Sequence, residues 1–253
     1  MSADEYLNGL LRREFVDTGP ASHARGMQVV LEPMLRQWGG RAIEQISPSG
    51  SFAKGTAIRS GTDIDLFVSL SSTTTDTLQQ IYEKLYEHVR LSGYVPKQQD
   101  VSIGLRVGGY DVDLVPGKRQ SYLGQDHSLW RRRAKTWTKT NVDTHIRFVS
   151  TSGYINEIKV LKLWRNQRQL DFPSFYLELS AIRALQENPG GSLSNNVWNC
   201  FAYLRDKFTN ARIVDPANTN NIISDDLTVA ARQLIAGAAA TARNAKNWSE
   251  IVQ

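Results

Sequence analysis

Two short acidic segments of the chain alternate between polar and apolar residues. One begins at Asp63 (DIDLFV) and the other at Tyr110 (YDVDLVP). Because strand side chains point alternately to opposite faces, this alternation predicts two β-strands. In the first strand Asp63 and Asp65 share one face, and in the second Asp111 and Asp113 do. The two glycines that precede the second segment are typical of a hairpin turn.

Apolar residues recur at helical spacing in much of the remaining chain. Residues 22–38 predict an amphipathic helix, in which Pro33 marks a kink or a break. Its predicted apolar stripe consists of Met27, Val30, Leu31, Met34, Leu35 and Trp38. Similar patterns predict helices at residues 74–91, 154–169 and 227–248, so the second half of the chain is expected to be mostly helical.

The composition narrows the class of protein. The 253 residues suffice for one large domain or two lobes, and 41% apolar with 22% charged residues is ordinary for a soluble globular protein. No apolar run approaches the ~20 residues of a membrane helix, and the charged N-terminus lacks a signal-peptide core. Cys200 is the single cysteine, which excludes an internal disulfide and a Cys-based zinc site. It is expected to be a buried core residue of a cytoplasmic protein.

The charges of the chain point to a cation and to phosphates. Asp63 and Asp65 on one strand face repel each other unless a cation lies between them, and oxygen-only ligands suit a hard ion such as Mg2+. The turn at Gly50 and Ser51 could bring backbone N–H groups and a hydroxyl to phosphates held by the same ion. The net charge of +5 likewise favours polyanionic partners, namely nucleoside triphosphates, RNA or DNA.

The spacing of these groups resembles that of a known family. Eleven residues separate Ser51 from Asp63. A Gly-Ser turn, a short loop and then Asp-x-Asp on a strand is the signature of the polymerase-beta-type nucleotidyltransferases. The segments GSFAKGT and TDIDLFV resemble most closely the branch that contains the 2′-5′-oligoadenylate synthases and the bacterial cyclic-oligonucleotide synthases of anti-phage defence.

The resemblance implies an α+β, bilobal nucleotidyltransferase fold. Residues 1–140 are expected to form the catalytic lobe, which consists of a small mixed β-sheet and an N-terminal spine helix at residues 22–38. Residues 141–253 are expected to form a mostly helical lobe that binds nucleotide.

The resemblance also implies a third catalytic carboxylate. The segment YDVDLVP is similar to a strand of the family in which the acidic residue is followed by two apolar residues and a proline. This match places the third carboxylate at Asp113, with Asp111 as the alternative, because a two-residue slip keeps the same face. Asp63, Asp65 and Asp113 are thus expected to be catalytic and to hold two Mg2+ ions, with Mn2+ as an alternative metal.

Two further stretches are expected at the nucleotide site because of the same resemblance. The segment Lys54-Gly55-Thr56 corresponds to a part of the resembled synthases that lies beside the nucleotide, although solvation of Lys54 at the surface is the alternative. The segments LKLWR and PSFYLEL are similar to the second lobe of the family. There a helix lysine and a serine hold the triphosphate, and the next aromatic residue stacks on a base.

This correspondence assigns the triphosphate to Lys162 and Ser174 and the base to Phe175. The alternatives are that Ser174 is a simple helix N-cap and that Phe175 is a core residue. The expected nucleotide-binding residues are therefore Gly50, Ser51, Lys54, Thr56, Lys162, Ser174 and Phe175.

Residues 118–139 form the most basic part of the chain. Trp130 and Trp137 are interleaved there with the cationic residues Arg131, Arg132, Arg133, Lys135 and Lys139. One interpretation is a nucleic-acid surface that combines phosphate contacts with base stacking. The interpretation that we favour is an exposed basic connector whose Trp side chains pack under the lobes.

Three functions remain open. We favour a metal-dependent nucleotidyltransferase that joins NTPs, ATP among them, into a cyclic or linear oligonucleotide second messenger of anti-phage defence. Such an enzyme is expected in the cytoplasm, without a membrane partner, and could need an RNA or protein activator. The second function is a template-independent RNA-tailing enzyme similar to the CCA-adding enzymes. The third is a non-catalytic nucleotide- or RNA-binding module, against which the three intact carboxylates argue.

Overall fold

The computed structural model of the protein describes residues 2–61 and 63–253. Its α-helices are α1 (Ala3–Arg13), α2 (His23–Gly39), α3 (Gly50–Ala53), α4 (Leu78–Leu91), α5 (Val142–Ser150), α6 (Ile155–Gln167), α7 (Ser174–Glu187), α8 (Leu193–Asp206) and α9 (Val229–Arg243). Its strands are β1 (Ile43–Pro48), β2 (Ile64–Leu70), β3 (Lys97–Gln98), β4 (Ile103–Val107), β5 (Tyr110–Arg119), β6 (His127–Arg131), β7 (Thr136–Thr140), β8 (Val214–Asp215) and β9 (Asn218–Ile222). Within these described residues, no helix combines the length and the apolar character that crossing a membrane requires.

The chain folds into two compact units. The sheet unit comprises residues 17–55 and 63–146, and the helical unit comprises residues 2–16, 56–61 and 147–253. The change of unit after residue 146 lies close to the boundary predicted after residue 140. The first helix and the segment 56–61 differ from that prediction, because Leu7, Leu10 and Ile58 are buried in the hydrophobic core of the helical unit.

The sheet unit is built on one mixed β-sheet. Its strand order is β1-β2-β5-β4-β3, and β6 and β7 continue the sheet from β5. Strands β2 and β5 run parallel to each other, whereas β1 with β2 and β4 with β5 are antiparallel. Leu66 of β2 and Leu114 of β5 are fully buried. The two acidic segments, which are predicted to be strands, are neighbours in the middle of this sheet.

The predicted helix at residues 22–38 corresponds to α2, which continues through Pro33 without a break. Leu31 and Leu35 are buried, and they hold the helix on both sides of the proline. Val30 is 52% exposed, so its assignment to the buried stripe is wrong. Fewer residues of the predicted apolar stripe of α2 are therefore buried than the sequence pattern predicts.

The core of the helical unit is rich in aromatic residues around α6 and α7. Trp164 packs edge-to-face on Phe201, with ring centroids 5.0 Å apart. A second group of rings joins Phe172, Tyr176 and Phe208. Helix α6 is buried along the whole stretch from residue 160 to residue 164, so any polar side chain in that stretch lies inside the core.

The basic region at residues 118–139 is not a connector but part of the sheet. Strands β6 and β7 form a hairpin in which Trp130 is paired with Trp137. Trp137 is 55% exposed, so the expectation that it packs under a lobe is wrong. The arginines after β6 bind the β3–β4 turn, since the backbone N–H groups of Arg132 and Arg133 donate to the carbonyl and the carboxylate of Asp100.

Candidate active site

Two carboxylates lie side by side where β2 and β5 begin. Asp65 is paired with Asp113 in the parallel ladder, and Ile64 is paired with Val112. Residues paired in this way point to the same face of a sheet. Ile64 and Val112 are buried on one face, whereas both carboxylates are half-buried on the other. This register makes Asp113, and not Asp111, the direct neighbour of Asp65.

Asp63 immediately precedes β2 and faces the same open space. A cleft of about 440 Å3 lies beside the strands. Its lining residues are Asp63, Val95, Lys97, Gln99, Gly104, Leu105, Arg106, Asp111, Val112 and Asp113. We call the group Asp63, Asp65 and Asp113 the carboxylate edge. Asp65 and Asp113 lie on neighbouring strands, Asp63 directly precedes the first of them, and Asp63 and Asp113 line the cleft.

The pKa values of two members of the carboxylate edge are raised. Burial, followed by repulsion from Asp63, raises the pKa of Asp113 to about 6. Burial, followed by repulsion from Asp111, also raises the pKa of Asp63. Both shifts disfavour the ionised carboxylates, and a cation bound between them would reverse this effect.

The Gly-Ser turn packs directly against the carboxylate edge. A Cβ atom added to Gly50 would lie 1.7 Å from Oδ2 of Asp65, and Gly50 has a positive φ of 56°. The backbone N–H of Ser49 donates to the carbonyl of Asp65 over 2.8 Å. Ser51 follows Gly50 in the single turn of α3. Only glycine fits at position 50, because the carboxylate fills the space of a side chain.

The residues of the carboxylate edge fit a hard divalent ion in their chemistry. All the donors are carboxylate oxygens, which suit Mg2+ or Mn2+. In residues 2–61 and 63–253, however, no three His, Cys, Asp or Glu side chains are gathered closely enough to form a metal centre. Asp113 accepts a hydrogen bond of 2.8 Å from Gln99.

Two of the expected nucleotide ligands lie inside the helical unit. Lys162 is 2% exposed, and Thr56 and Glu178 are fully buried. The ammonium of Lys162 donates to Oε1 of Glu178 over 2.7 Å and to the hydroxyl of Thr56 over 2.8 Å. The Thr56 hydroxyl donates to the same Glu178 oxygen over 2.6 Å. We call these three residues the lysine cluster.

The lysine cluster corrects two expectations. A buried ammonium with a carboxylate partner does not contact a triphosphate in this conformation, so Lys162 and Thr56 lie in a structural position. Lys54, for which surface solvation was the alternative, is 8% exposed. That alternative is wrong, because Lys54 is buried directly after α3 in the sheet unit.

Ser174 and Phe175 begin helix α7. Ser174 is exposed, and its hydroxyl accepts a 2.8 Å hydrogen bond from Arg165. The N-cap residue of α7 is Pro173, so the expected N-cap role of Ser174 is wrong. Phe175 is partly buried against the hydrophobic core. The same Arg165 nitrogen also donates to the carbonyl of Phe172 over 2.8 Å, which places a guanidinium at the start of α7.

Four residues that contact the expected site residues are not predicted from the sequence. Gln99 and Ser102 flank Asp113, and Arg165 and Glu178 flank Ser174 and Lys162. A lysine and a glutamate within otherwise apolar helices would have been a signal for a buried pair. The contacts of Gln99 depend on the shape of the β3–β4 turn, for which the sequence carries no comparable signal.

The structure thus has Asp63 directly before β2, Asp65 on it, Asp113 on its parallel neighbour and a Gly-Ser turn against Asp65, which is the arrangement that the resemblance to nucleotidyltransferases implies. In agreement, residues 29–103 match the family model described as "Nucleotidyltransferase domain". The chain is also 25% identical to the cyclic AMP-AMP-AMP synthase of Escherichia coli strain MS 115-1. The 181 matched residues cover 64% of this chain and 56% of that protein.

A second relative is the CBASS oligonucleotide cyclase CdnC of Escherichia coli strain KTE188. It is 24% identical over 200 residues, which cover 70% of this chain and 62% of the cyclase. The chain thus spans little more than half the length of the curated relatives that it matches. The predicted resemblance to the polymerase-beta-type nucleotidyltransferases, in the branch of the bacterial cyclic-oligonucleotide synthases, is confirmed.

Solved structures support the same fold. The structure of Escherichia coli CdnC with ATP has a TM-score of 0.77 at 22% identity and covers 96% of this chain and 91% of that one. CdnE of Elizabethkingia meningoseptica, a cyclic dinucleotide synthase, has a TM-score of 0.70 at 13% identity over 94% and 97% of the two chains. The predicted α+β nucleotidyltransferase fold is therefore confirmed.

Proposed function

We propose that this protein is a metal-dependent nucleotidyltransferase that joins NTPs into a cyclic or linear oligonucleotide in anti-phage defence. The observation that carries the proposal is the carboxylate edge, in which Asp65 is paired with Asp113 and the Gly50 turn packs on Asp65. Two relatives described as an oligonucleotide synthase and an oligonucleotide cyclase support this product class.

In the proposed reaction Asp63, Asp65 and Asp113 hold two divalent ions, Mg2+ or Mn2+. When bound, such ions neutralise the charge of the reacting phosphate and of the departing pyrophosphate. Asp113 would also be placed to accept the proton of the attacking hydroxyl. The hydroxyl oxygen then bonds to the α-phosphorus, and the bond from this phosphorus to pyrophosphate breaks.

The remaining residues of the chain bind and orient the nucleotide in this proposal. Gly50 and Ser51 offer backbone N–H groups and a hydroxyl beside Asp65, with Lys54 at the end of the same turn. Ser174 and the guanidinium of Arg165 bind the triphosphate, and the ring of Phe175 stacks on the base. The lysine cluster holds the segment 56–61, which joins the Gly-Ser turn to the Asp-x-Asp strand.

ATP, a cytoplasmic location and an activator belong to the same proposal. The structure of CdnC with ATP supports ATP as one substrate, and ATP and Mg2+ are available in the cytoplasm. The structure of a complex between Escherichia coli CdnC and HORMA-deltaN supports a protein as the activating partner. RNA is the alternative activator, in keeping with the net charge of +5.

An RNA-tailing reaction is the second candidate. The structure of Cid1 poly(U) polymerase bound to MgATP has a TM-score of 0.68 and covers 95% of this chain at 14% identity. The two reactions share the carboxylates and differ in the acceptor hydroxyl, which is on a small nucleotide in one case and on an RNA end in the other.

One experiment tests both candidates. The purified protein is incubated with labelled NTPs and Mg2+ or Mn2+, with and without RNA, and pyrophosphate and nucleotide products are separated. We expect small phosphatase-resistant products from the wild type and none from the variant Asp63→Ala with Asp65→Ala. The control Asp225→Ala removes an exposed carboxylate elsewhere and should retain the wild-type rate.

The outcomes separate the candidates. Elongated RNA instead of small products would favour the tailing reaction. Equal turnover by the wild type and the double variant would exclude the carboxylate edge as the active site. Nucleotide binding without pyrophosphate release under every condition would indicate a non-catalytic binding module.

A further inference from the structure

The Asp113 carboxylate is fixed by one amide. Nε2 of Gln99 donates to Oδ1 of Asp113 over 2.8 Å. The Ser102 hydroxyl donates to Oε1 of Gln99 over 2.8 Å and approaches Oδ2 of Asp113 only to 3.5 Å. A hydroxyl has a single proton, so the shorter bond to Gln99 takes it. This bond also fixes the orientation of the Gln99 amide, since its oxygen faces Ser102 and its NH2 group faces Asp113.

The backbone of Gln99 is held from three sides. Its N–H donates to the carbonyl of Ser102 over 3.0 Å, which closes the β3–β4 turn. The hydroxyl of Tyr82, a residue that is 1% exposed, lies 3.0 Å from both the carbonyl of Gln99 and that of Ser102, and it donates to the pair. The Gln99 carbonyl also accepts from Nε of Arg132 over 3.0 Å. A side chain on so constrained a turn loses little entropy when it binds the carboxylate.

The residue opposite Asp113 leaves room for this contact. Gly104 of β4 is paired with Asp113 in the antiparallel ladder. A Cβ atom added to Gly104 would lie 2.9 Å from Nε2 of Gln99 and 3.1 Å from Oδ1 of Asp113. Any side chain at position 104 would therefore push the amide and the carboxylate apart. The hydrogen bond depends on a glycine for steric reasons, independently of the network around Gln99.

We propose that Gln99 is a positioning residue for Asp113. Its amide binds Oδ1 and sets the rotation of the carboxylate, so that Oδ2 remains available to a divalent ion. Gln99 does not touch the nucleotide or the reacting atoms in this role. The inference rests on the proposed function, because it assigns Asp113 to the metal ions of that reaction.

The test compares variants of neighbouring residues. Gln99→Met keeps the length of the side chain and removes the amide, Gln99→Ala removes both, and Gly104→Ala displaces the amide while Gln99 is retained. The control Gln98→Ala changes the preceding glutamine, which is exposed on β3. Mn2+ affinity is measured by electron paramagnetic resonance with a non-hydrolysable ATP analogue, and kcat and KM are measured by pyrophosphate release.

We expect Gln99→Met, Gln99→Ala and Gly104→Ala to weaken Mn2+ binding by about 10–100-fold, as is usual when a ligating carboxylate loses its hydrogen-bond partner. The kcat should fall with it, while the KM for NTP and the melting temperature of Gln99→Met stay unchanged. Gln98→Ala should match the wild type in every measurement. Wild-type Mn2+ affinity and kcat in a folded Gln99→Met variant would overturn the positioning role. Absence of Mn2+ binding and turnover in the wild type would instead contradict the proposed function itself.

Discussion

The lysine cluster and the carboxylate edge differ in their burial and in the balance of their charges. The lysine cluster of Thr56, Lys162 and Glu178 is completely buried, and its charges neutralise each other over 2.7 Å. The carboxylate edge of Asp63, Asp65 and Asp113 is only partly buried, and its charges have the same sign. In the first group, the positive charge of Lys162 is balanced by the negative charge of Glu178. In the second, burial and neighbouring carboxylates raise the pKa values of Asp63 and Asp113.

This difference shows how a structural charge can be told from a functional one. Charged groups in a core are tolerated when each has its partner, because an unpaired buried charge costs several kcal/mol. Carboxylates beside an open cleft, with pKa values raised first by burial and then by neighbouring carboxylates, are typical of a site that binds a ligand. Lys162, which the sequence places at the triphosphate, is therefore interpreted as a structural charge, and the aspartates are interpreted as functional charges.

The largest expected effect is the loss of catalytic rate when the carboxylate edge is neutralised. The double variant Asp63→Asn with Asp65→Asn should lower the rate of pyrophosphate release by at least about 10³-fold. Loss of even one group that stabilises developing charge lowers kcat by about 10²–10³-fold. The melting temperature without metal should be unchanged or higher, since a repulsion is removed. A thermal scan and a rate assay on one preparation check both. Unfolding of this variant would mean that the aspartates have a structural role.

The opposite behaviour is expected from the lysine cluster. Lys162→Met should lower the free energy of unfolding by about 3–5 kcal/mol, because Glu178 remains buried without its partner. Adding Glu178→Gln should restore most of this loss, since the remaining amide can still accept from Thr56. Denaturant titration of both variants measures the difference. Equal stability of Lys162→Met and the wild type would contradict the structural role and favour an exposed lysine.

A smaller effect is expected where the turn meets the carboxylate edge. Gly50→Ala places a Cβ atom on the Asp65 carboxylate and forces alanine into a positive φ. A displacement of about 1 Å at a reacting centre costs about 10²-fold in rate. We expect a loss of kcat of this size, measured by pyrophosphate release. Gly55→Ala serves as the control, because it also has a positive φ but no atom within 4 Å of the added Cβ.

The smallest effect is expected in the pH dependence of stability. The pKa of Asp113 is about 6 in the folded protein against a usual value of 3.8. The folded state therefore binds more protons than the unfolded chain between these values, and this group makes the protein less stable as the pH rises through that window. Asp113→Asn removes the effect, so the melting temperature of the variant relative to the wild type should increase from pH 4 to pH 7. A constant difference over this range would mean that the pKa of Asp113 is not raised.

The sequence predicts the strand positions of Asp65 and Asp113 because their determinants are local. Period-two alternation places Asp65 and Asp113 on strands, and a glycine before the serine allows a tight turn. The β6–β7 hairpin does not follow from such patterns, since the sequence predicts a connector there. The continuity of α2 through Pro33 is not predictable in this way, because it depends on the burial of Leu31 and Leu35 against the sheet.

The lysine cluster and Gln99 lie beyond this kind of prediction. Whether Lys162 faces solvent or Glu178 depends on the packing of α6 against α7, which spacing within one helix does not define. The contact of Gln99 with Asp113 requires the turn, the Tyr82 hydroxyl and the gap at Gly104 together. Contacts between separate elements decide these positions.

The most direct test of the account is the binding of a divalent ion to the carboxylate edge. Mn2+ is titrated into the protein with a non-hydrolysable ATP analogue and followed by electron paramagnetic resonance. The account predicts specific binding by the wild type and by Lys162→Met with Glu178→Gln, and its loss in Asp63→Asn with Asp65→Asn. Undiminished Mn2+ binding after both aspartates are neutralised, or none in the wild type, would contradict it.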